Sequence, residues 1–194
     1  MAYAATSSSI TSRMMRAARL EVPLYEEVEA DTTATSQALT VVLLVAVASG
    51  LGAAIGAAIT GNSSALVARL IGGVLNALIG WAVWSYVLYF VGTRFFGGTA
   101  TYGELLRTLG FAESPSVLLI LSFVPVLGGI LALVVGIWTL VASFIATRQA
   151  LDIDNTKTVF TIIVGVVALF IVFAIVAALL ALVFGAGAAA GRLF

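Results

Sequence analysis

The amino-acid sequence predicts an all-α protein, a polytopic transmembrane helix bundle of five spans with amphipathic helices at its cytoplasmic interface. Three observations predict it. Hydrophobic residues make up 62% of the 194 and charged residues 9%, where a soluble domain needs roughly 25% charge to cover its surface. The charges leave long gaps, with none between Asp31 and Arg69, Arg69 and Arg94, Glu113 and Arg148, or Lys157 and Arg192. A hydrocarbon core of about 30 Å takes roughly 20 helical residues, which every gap can supply.

The N-terminal segment, 1–37, reads as a cytoplasmic piece of the mature protein. Its acidic strip, Glu26, Glu27, Glu29 and Asp31, precedes the first apolar run, whereas a secretory leader needs a basic start followed by a short apolar core. Within it, residues 10–20 carry Arg13, Arg16 and Arg19 with Met14, Met15 and Ala18 between them. That spacing predicts a short helix lying on the membrane, its arginines near anionic headgroups. Tyr25, Glu26 and Glu27 follow as a mixture of apolar anchor and acid, expected as a solvated strip or a docking patch for a partner.

The membrane part, 38–191, divides into spans at about 39–60, 70–92, 115–126, 130–147 and 159–184. The first is closed by turn-forming Gly61-Asn62-Ser63-Ser64. The second ends in Trp81, Trp84, Tyr86 and Tyr89, which suit an aromatic belt near Arg94. Residues 101–111 between the second and third spans predict another interfacial helix, with Glu104 and Arg107 three apart. Pro125 followed by Gly128 and Gly129 divides the next gap, because proline cannot continue helical hydrogen bonding. One kinked helix there would give four spans, and a short re-entrant segment is a third option. Charge asymmetry favours five with the N-terminus inside. Arg13, Arg16, Arg19, Arg94, Arg107, Arg148 and Lys157 then lie on the cytoplasmic side, and only Arg69 and Arg192 outside.

Chemistry-bearing residues are scarce. There is no cysteine and no histidine, so thiol catalysis, thiolate metal sites and the usual neutral-pH base are excluded. Balanced charge, nine basic residues against nine acidic, predicts no nucleic-acid partner. Asp152, Asp154 and Asn155 could hold a divalent cation, but a helix cap by Asp154 or Asn155 is the plainer reading. No metal, cofactor or catalytic residue is expected. Small residues recur at helix-packing spacing: Gly52 to Gly56, Ala132 to Gly136, and Gly187 to Gly191. They predict close backbone approach, within one bundle or against a second copy or partner. Asn76 is the polar residue to single out, since an amide in hydrocarbon needs a hydrogen-bond partner.

One stretch carries a family resemblance. Gly97-Gly98, Tyr102, Leu105-Leu106 and then Gly110-Phe111, with Pro115 entering a short third span, resemble the Gly-Gly, aromatic and Gly-Tyr-x-x-x-Pro pattern of the Yip1 domain family. The resemblance covers about residues 38–185 and implies a five-span membrane protein, with no settled activity for the family's prokaryotic-type members. Phe111 stands where tyrosine is common. Eukaryotic members work in vesicle traffic and bind Rab GTPases. Their Asp-Leu-Tyr-Gly-Pro motif is missing here, so Rab-type binding is not expected. Prokaryotic-type members resemble the chain better, which implies a prokaryotic inner membrane with the C-terminus outside. The expected function is a non-enzymatic scaffold or accessory subunit in the lipid bilayer, held to a membrane-protein partner or a second copy. The alternative is a channel or transporter, including one that handles lipid.

Overall fold

The computed structural model describes residues 9–61 and 66–190, with side chains described as far as residue 182. The described residues are helical throughout, and strands are absent among them. The order is α1 (Ile10–Ala18), α2 (Val22–Ala30), α3 (Ala34–Ile59), α4 (Leu66–Phe95), α5 (Tyr102–Ala112), a 3-10 segment (Ser114–Phe123), α6 (Leu127–Leu151) and α7 (Asn155–Ala190). Four of these, α3, α4, α6 and α7, are long and apolar enough to cross a membrane, and α5 with the 3-10 segment forms a fifth candidate bent by 41°.

The bend has a local cause. Pro115 sits in the first turn of the 3-10 segment, where it lacks an N–H and its ring opposes the carbonyl four residues back. That carbonyl, on Phe111, accepts instead from the Ser114 hydroxyl at 2.6 Å. Beyond the bend the chain runs alongside α3. A Cβ on Gly110 would stand 2.8 Å from the Ala38 side chain, and Phe123 lies beside Gly56. Ala38 to Gly56 is about 27 Å of α-helix at 1.5 Å per residue. The stretch from Gly110 to Phe123 matches that length only by rising about 2 Å per residue, which is 3-10 geometry. A segment too short to cross as an α-helix thus keeps pace with α3.

The return into α6 is tight. Val126 has φ of 65°, and the Leu127 amide donates to the Pro125 carbonyl at 2.7 Å, a γ-turn conformation rare for any side chain and most of all for a β-branched one. Gly128 permits it, because a Cβ there would stand 2.2 Å from the Ser122 carbonyl. At the other end of α6, Asp152 takes the left-handed conformation that ends a helix. Asp154 then caps α7 by accepting from the Lys157 amide at 3.0 Å.

The core sits at one end of the bundle. One cluster joins Tyr25, Leu88, Leu105, Leu109, Ala146 and Leu151. A second joins Ala17, Leu24, Val28, Ala38, Val41 and Phe111. Residues 1–37 therefore form no separate layer among the described residues, since Leu24, Tyr25 and Val28 of α2 are fully buried against α3, α5 and α6. At the opposite end the helices part. Residues 169–182 of α7 are almost all exposed, as are Leu127, Ile130 and Leu133 of α6, leaving wholly apolar helix surface for lipid or another membrane protein.

Candidate functional site

The N-terminal helices differ from the expected lipid-facing arginine stripe. Arg13 is buried, with 3% of its surface exposed. Its guanidinium donates to Glu27 at 2.9 Å, Asp31 at 2.8 Å and Gln37 at 2.9 Å. Arg16 pairs with Glu21 and Glu27, and Glu27 beside it raises its pKa. Hydrogen bonds from Thr33 and then Arg13 hold the Asp31 carboxyl below its usual range. Only Arg19 of the three arginines is exposed. Glu27 and Asp31 of the acidic strip are therefore counter-ions to these arginines, because packing α1 and α2 on the bundle brings the two charge runs together, while Glu26 stays exposed. Tyr25 is fully buried and donates its hydroxyl to the Ala17 carbonyl at 3.4 Å, and Glu26 accepts from Gln149 at 2.9 Å.

Side chains from α5 and α6 finish the ends of these helices. Trp138 donates its indole N–H to the Ala18 carbonyl at 2.7 Å. Arg107, buried in α5, donates to the Val28 carbonyl at 2.9 Å and to the Glu29 carbonyl. The last carbonyls of a helix lack intrahelical partners and carry partial negative charge, so a cation there is favourable. The expected interfacial helix over 101–111 is accordingly a packed one. Its capping box uses Thr101 and Glu104, and Leu105, Thr108 and Leu109 are buried.

Glu29 is the strained group of this end. Burial first, then the nearby carboxylates of Asp152, Glu104 and Glu26, push its carboxyl up to about 7, against an opposing pull from Arg107. A raised acid favours the folded state while protonated, so this contribution fades as pH rises from about 4.5 to about 7. Glu29→Gln is expected to melt higher than the parent at pH 8 and no higher at pH 5. Thermal unfolding at both values checks this, and a pH-independent difference would sink it.

The motif residues serve turns and close contacts. Gly97 has φ of 74°, a left-handed conformation that ends α4. A Cβ on Gly98 would meet the Leu151 carbonyl at 3.1 Å, and one on Gly92 the Leu151 side chain at 2.4 Å. Leu151 thus sits in a glycine socket, sealed by the Thr99 amide donating to its carbonyl at 3.2 Å. Tyr102 donates its hydroxyl to the Ala82 carbonyl at 3.0 Å and meets Tyr86 edge-on. Phe111 and Pro115 are buried.

The small-residue pairs part company. A Cβ on Gly52 would meet the Leu119 carbonyl at 2.4 Å and the Ile120 carbonyl at 2.8 Å, while one on Gly56 would meet Phe123 at an ordinary 3.6 Å. Gly136 has nothing within 4 Å, and Ala132 is exposed; α6 uses neither for packing within the chain. Gly187 lies on α7 beyond the described side chains, and Gly191 lies outside the described residues.

Two polar features remain on the membrane helices. Asn76, midway along α4, is exposed and has no hydrogen-bond partner among the described residues. Its neighbours on the same helix surface, Gly72 and Gly73, are open, with nothing within 4 Å of a Cβ. The second is a cavity of about 240 Å³ lined by Val42, Val45, Gly80, Trp81, Trp84, Glu113 and Ser143, among others. Glu113 was only the edge of a charge-free gap in the sequence. Its place became visible once Gly110 was seated on Ala38, which carries Glu113 about one turn deeper along α3. The signal available was a lone acid between two apolar runs, directly before Ser114-Pro115.

Fold and site together define a polytopic α-helical membrane protein. The Yip1 domain model matches residues 24–189, and the chain belongs to the Yip1 domain family, whose members are non-enzymatic. The match begins within α2, the helix that the core absorbs. No curated protein and no solved structure matches the chain. Among the described residues no group of three or more acids could hold a metal ion.

Proposed function

We propose that the protein is a membrane scaffold or accessory subunit that holds another membrane protein, or a second copy of itself, against α4. The observation that carries this reading is Asn76. An amide facing hydrocarbon without a partner is costly, and an interhelical hydrogen bond across a glycine-lined contact relieves it, by roughly 0.6 to 2 kcal/mol. Gly72 and Gly73 let a second backbone approach closely at that level. The exposed apolar surface of α7 offers further area to an associate.

The proposal includes five crossings, with the N-terminus and the Arg94 and Arg148 loops in the cytoplasm of a prokaryotic cell. The basic residues of α1, α5 and the α6–α7 turn then share one side. Rab-type GTPases have no part in it. A photo-crosslinking residue at Gly73 or Leu75, introduced in native membranes, is expected to capture a membrane protein or a second copy. Asn76→Leu should reduce capture severalfold without changing the melting temperature. Capture of lipid alone, unchanged by Asn76→Leu, would count decisively against it. The channel or transporter reading is left to flux measurements in vesicles.

A further inference from the structure

The Glu113 cavity lies next to that interface, with Gly80 of its lining four residues from Asn76 on α4, and it points to a ligand of its own. Glu113 lies inside the bundle, in a cavity shared with Val42 and Val45 of the apolar run of α3. It forms no ion pair among the described residues. The Ser116 amide donates to the Glu113 carbonyl at 2.9 Å, and the Ser116 hydroxyl lies 2.9 Å from the Thr139 hydroxyl. A carboxylate set among apolar walls is expensive unless a cation or a proton meets it.

The walls suit one kind of cation. Trp81 and Trp84 both line the cavity, and Trp81 spends its indole N–H on the Leu106 carbonyl at 3.1 Å, so ring surface is what it offers. Indole faces beside a carboxylate attract organic ammonium groups, strongly so when water is excluded. Gly80, also in the lining, is exposed, and a Cβ there would meet nothing within 4 Å. A second cavity of about 300 Å³ adjoins the first through Trp84 and Ser143 and runs along Gly136, Thr139 and Leu140 of α6. That is room for an acyl chain beside the head.

We propose that this pair of cavities binds an amphiphile with an ammonium head and a hydrocarbon tail, the head held by Glu113, Trp81 and Trp84. The source is a membrane lipid carrying choline or ethanolamine, or a free amine. Protein in phosphatidylglycerol nanodiscs, titrated while its tryptophan emission is followed, separates these. Lysophosphatidylcholine is expected to give a saturable change, with lysophosphatidylglycerol silent. Choline alone, binding as well as the lysolipid, would assign the site to free amines, whereas binding that needs the tail assigns it to lipid. Glu113→Gln, close to the parent in shape, should weaken either by tenfold or more, while Leu133→Ala, at an exposed position of α6 that lines neither cavity, leaves it unchanged. The uncharged isostere 3,3-dimethylbutanol tests the charge without any substitution. The proposal fails if choline binds and that alcohol binds as tightly, if Glu113→Gln binds like the parent, or if neither ammonium probe binds.

Discussion

Replacing Gly52 with leucine is expected to unseat the 3-10 segment from α3 and to unfold the protein's membrane core. Two backbone carbonyls, of Leu119 and Ile120, stand 2.4 and 2.8 Å from where the Cβ would go. Backbone cannot swing aside as a side chain can, so the cost belongs at or above the usual ceiling of overpacking, about 3 kcal/mol. Two companions make the experiment specific. Gly56→Ala meets Phe123 at an ordinary contact distance, and Gly136→Ala meets open space; both should melt within a few degrees of the parent. Thermal unfolding of the three purified variants in one detergent decides it. A Gly52→Leu protein as stable as Gly136→Ala would mean the two segments do not touch as described.

Arg107→Ala should release α2 while leaving α3 and α6 folded. The guanidinium is 6% exposed and spans two terminal carbonyls of α2. Hydrogen bonds from a charged donor contribute about 1.5 to 3 kcal/mol each, so losing two is expected to cost roughly 3 to 6 kcal/mol. Arg107→Lys should recover only part, since an ammonium cannot fork across both carbonyls. Hydrogen exchange resolved by segment provides the reading: faster exchange in 22–30 with little change in 38–52. Uniform acceleration across the chain would assign Arg107 to the global core instead.

The apolar helices were legible because hydrocarbon imposes a length and forbids charge, and both leave marks in sequence. The break at Pro125 and the Asp154 cap are local chemistry and could be read the same way. What α1 and α5 pack against could not. An amphipathic stripe shows the same periodicity whether its polar side meets headgroups or the acids of a neighbouring helix. The pairings of Arg13 with Glu27 and Asp31, 14 and 18 residues apart, depend on how α1 and α2 fold back. Glu113 was hidden for a related reason. Its depth follows from the seating of Gly110 on Ala38, a contact between residues 72 apart that no local pattern announces.

The buried arginines have a consequence for how the chain reaches its membrane. Orientation is decided while the nascent chain is unfolded, when lysine and arginine count and acidic residues contribute little. In the proposed orientation the positive charges of Arg13 and Arg16 then count toward keeping the N-terminus on the side of synthesis. Once α2 has formed and docked, the same two groups are neutralised by Glu21, Glu27 and Asp31 and no longer advertise charge to the surface. One pair of residues is thus read twice, first as a topological address and later as mortar between helices. In the proposed orientation the second use also locks in the first, because an N-terminus cemented to α5 and α6 has no route back across the bilayer.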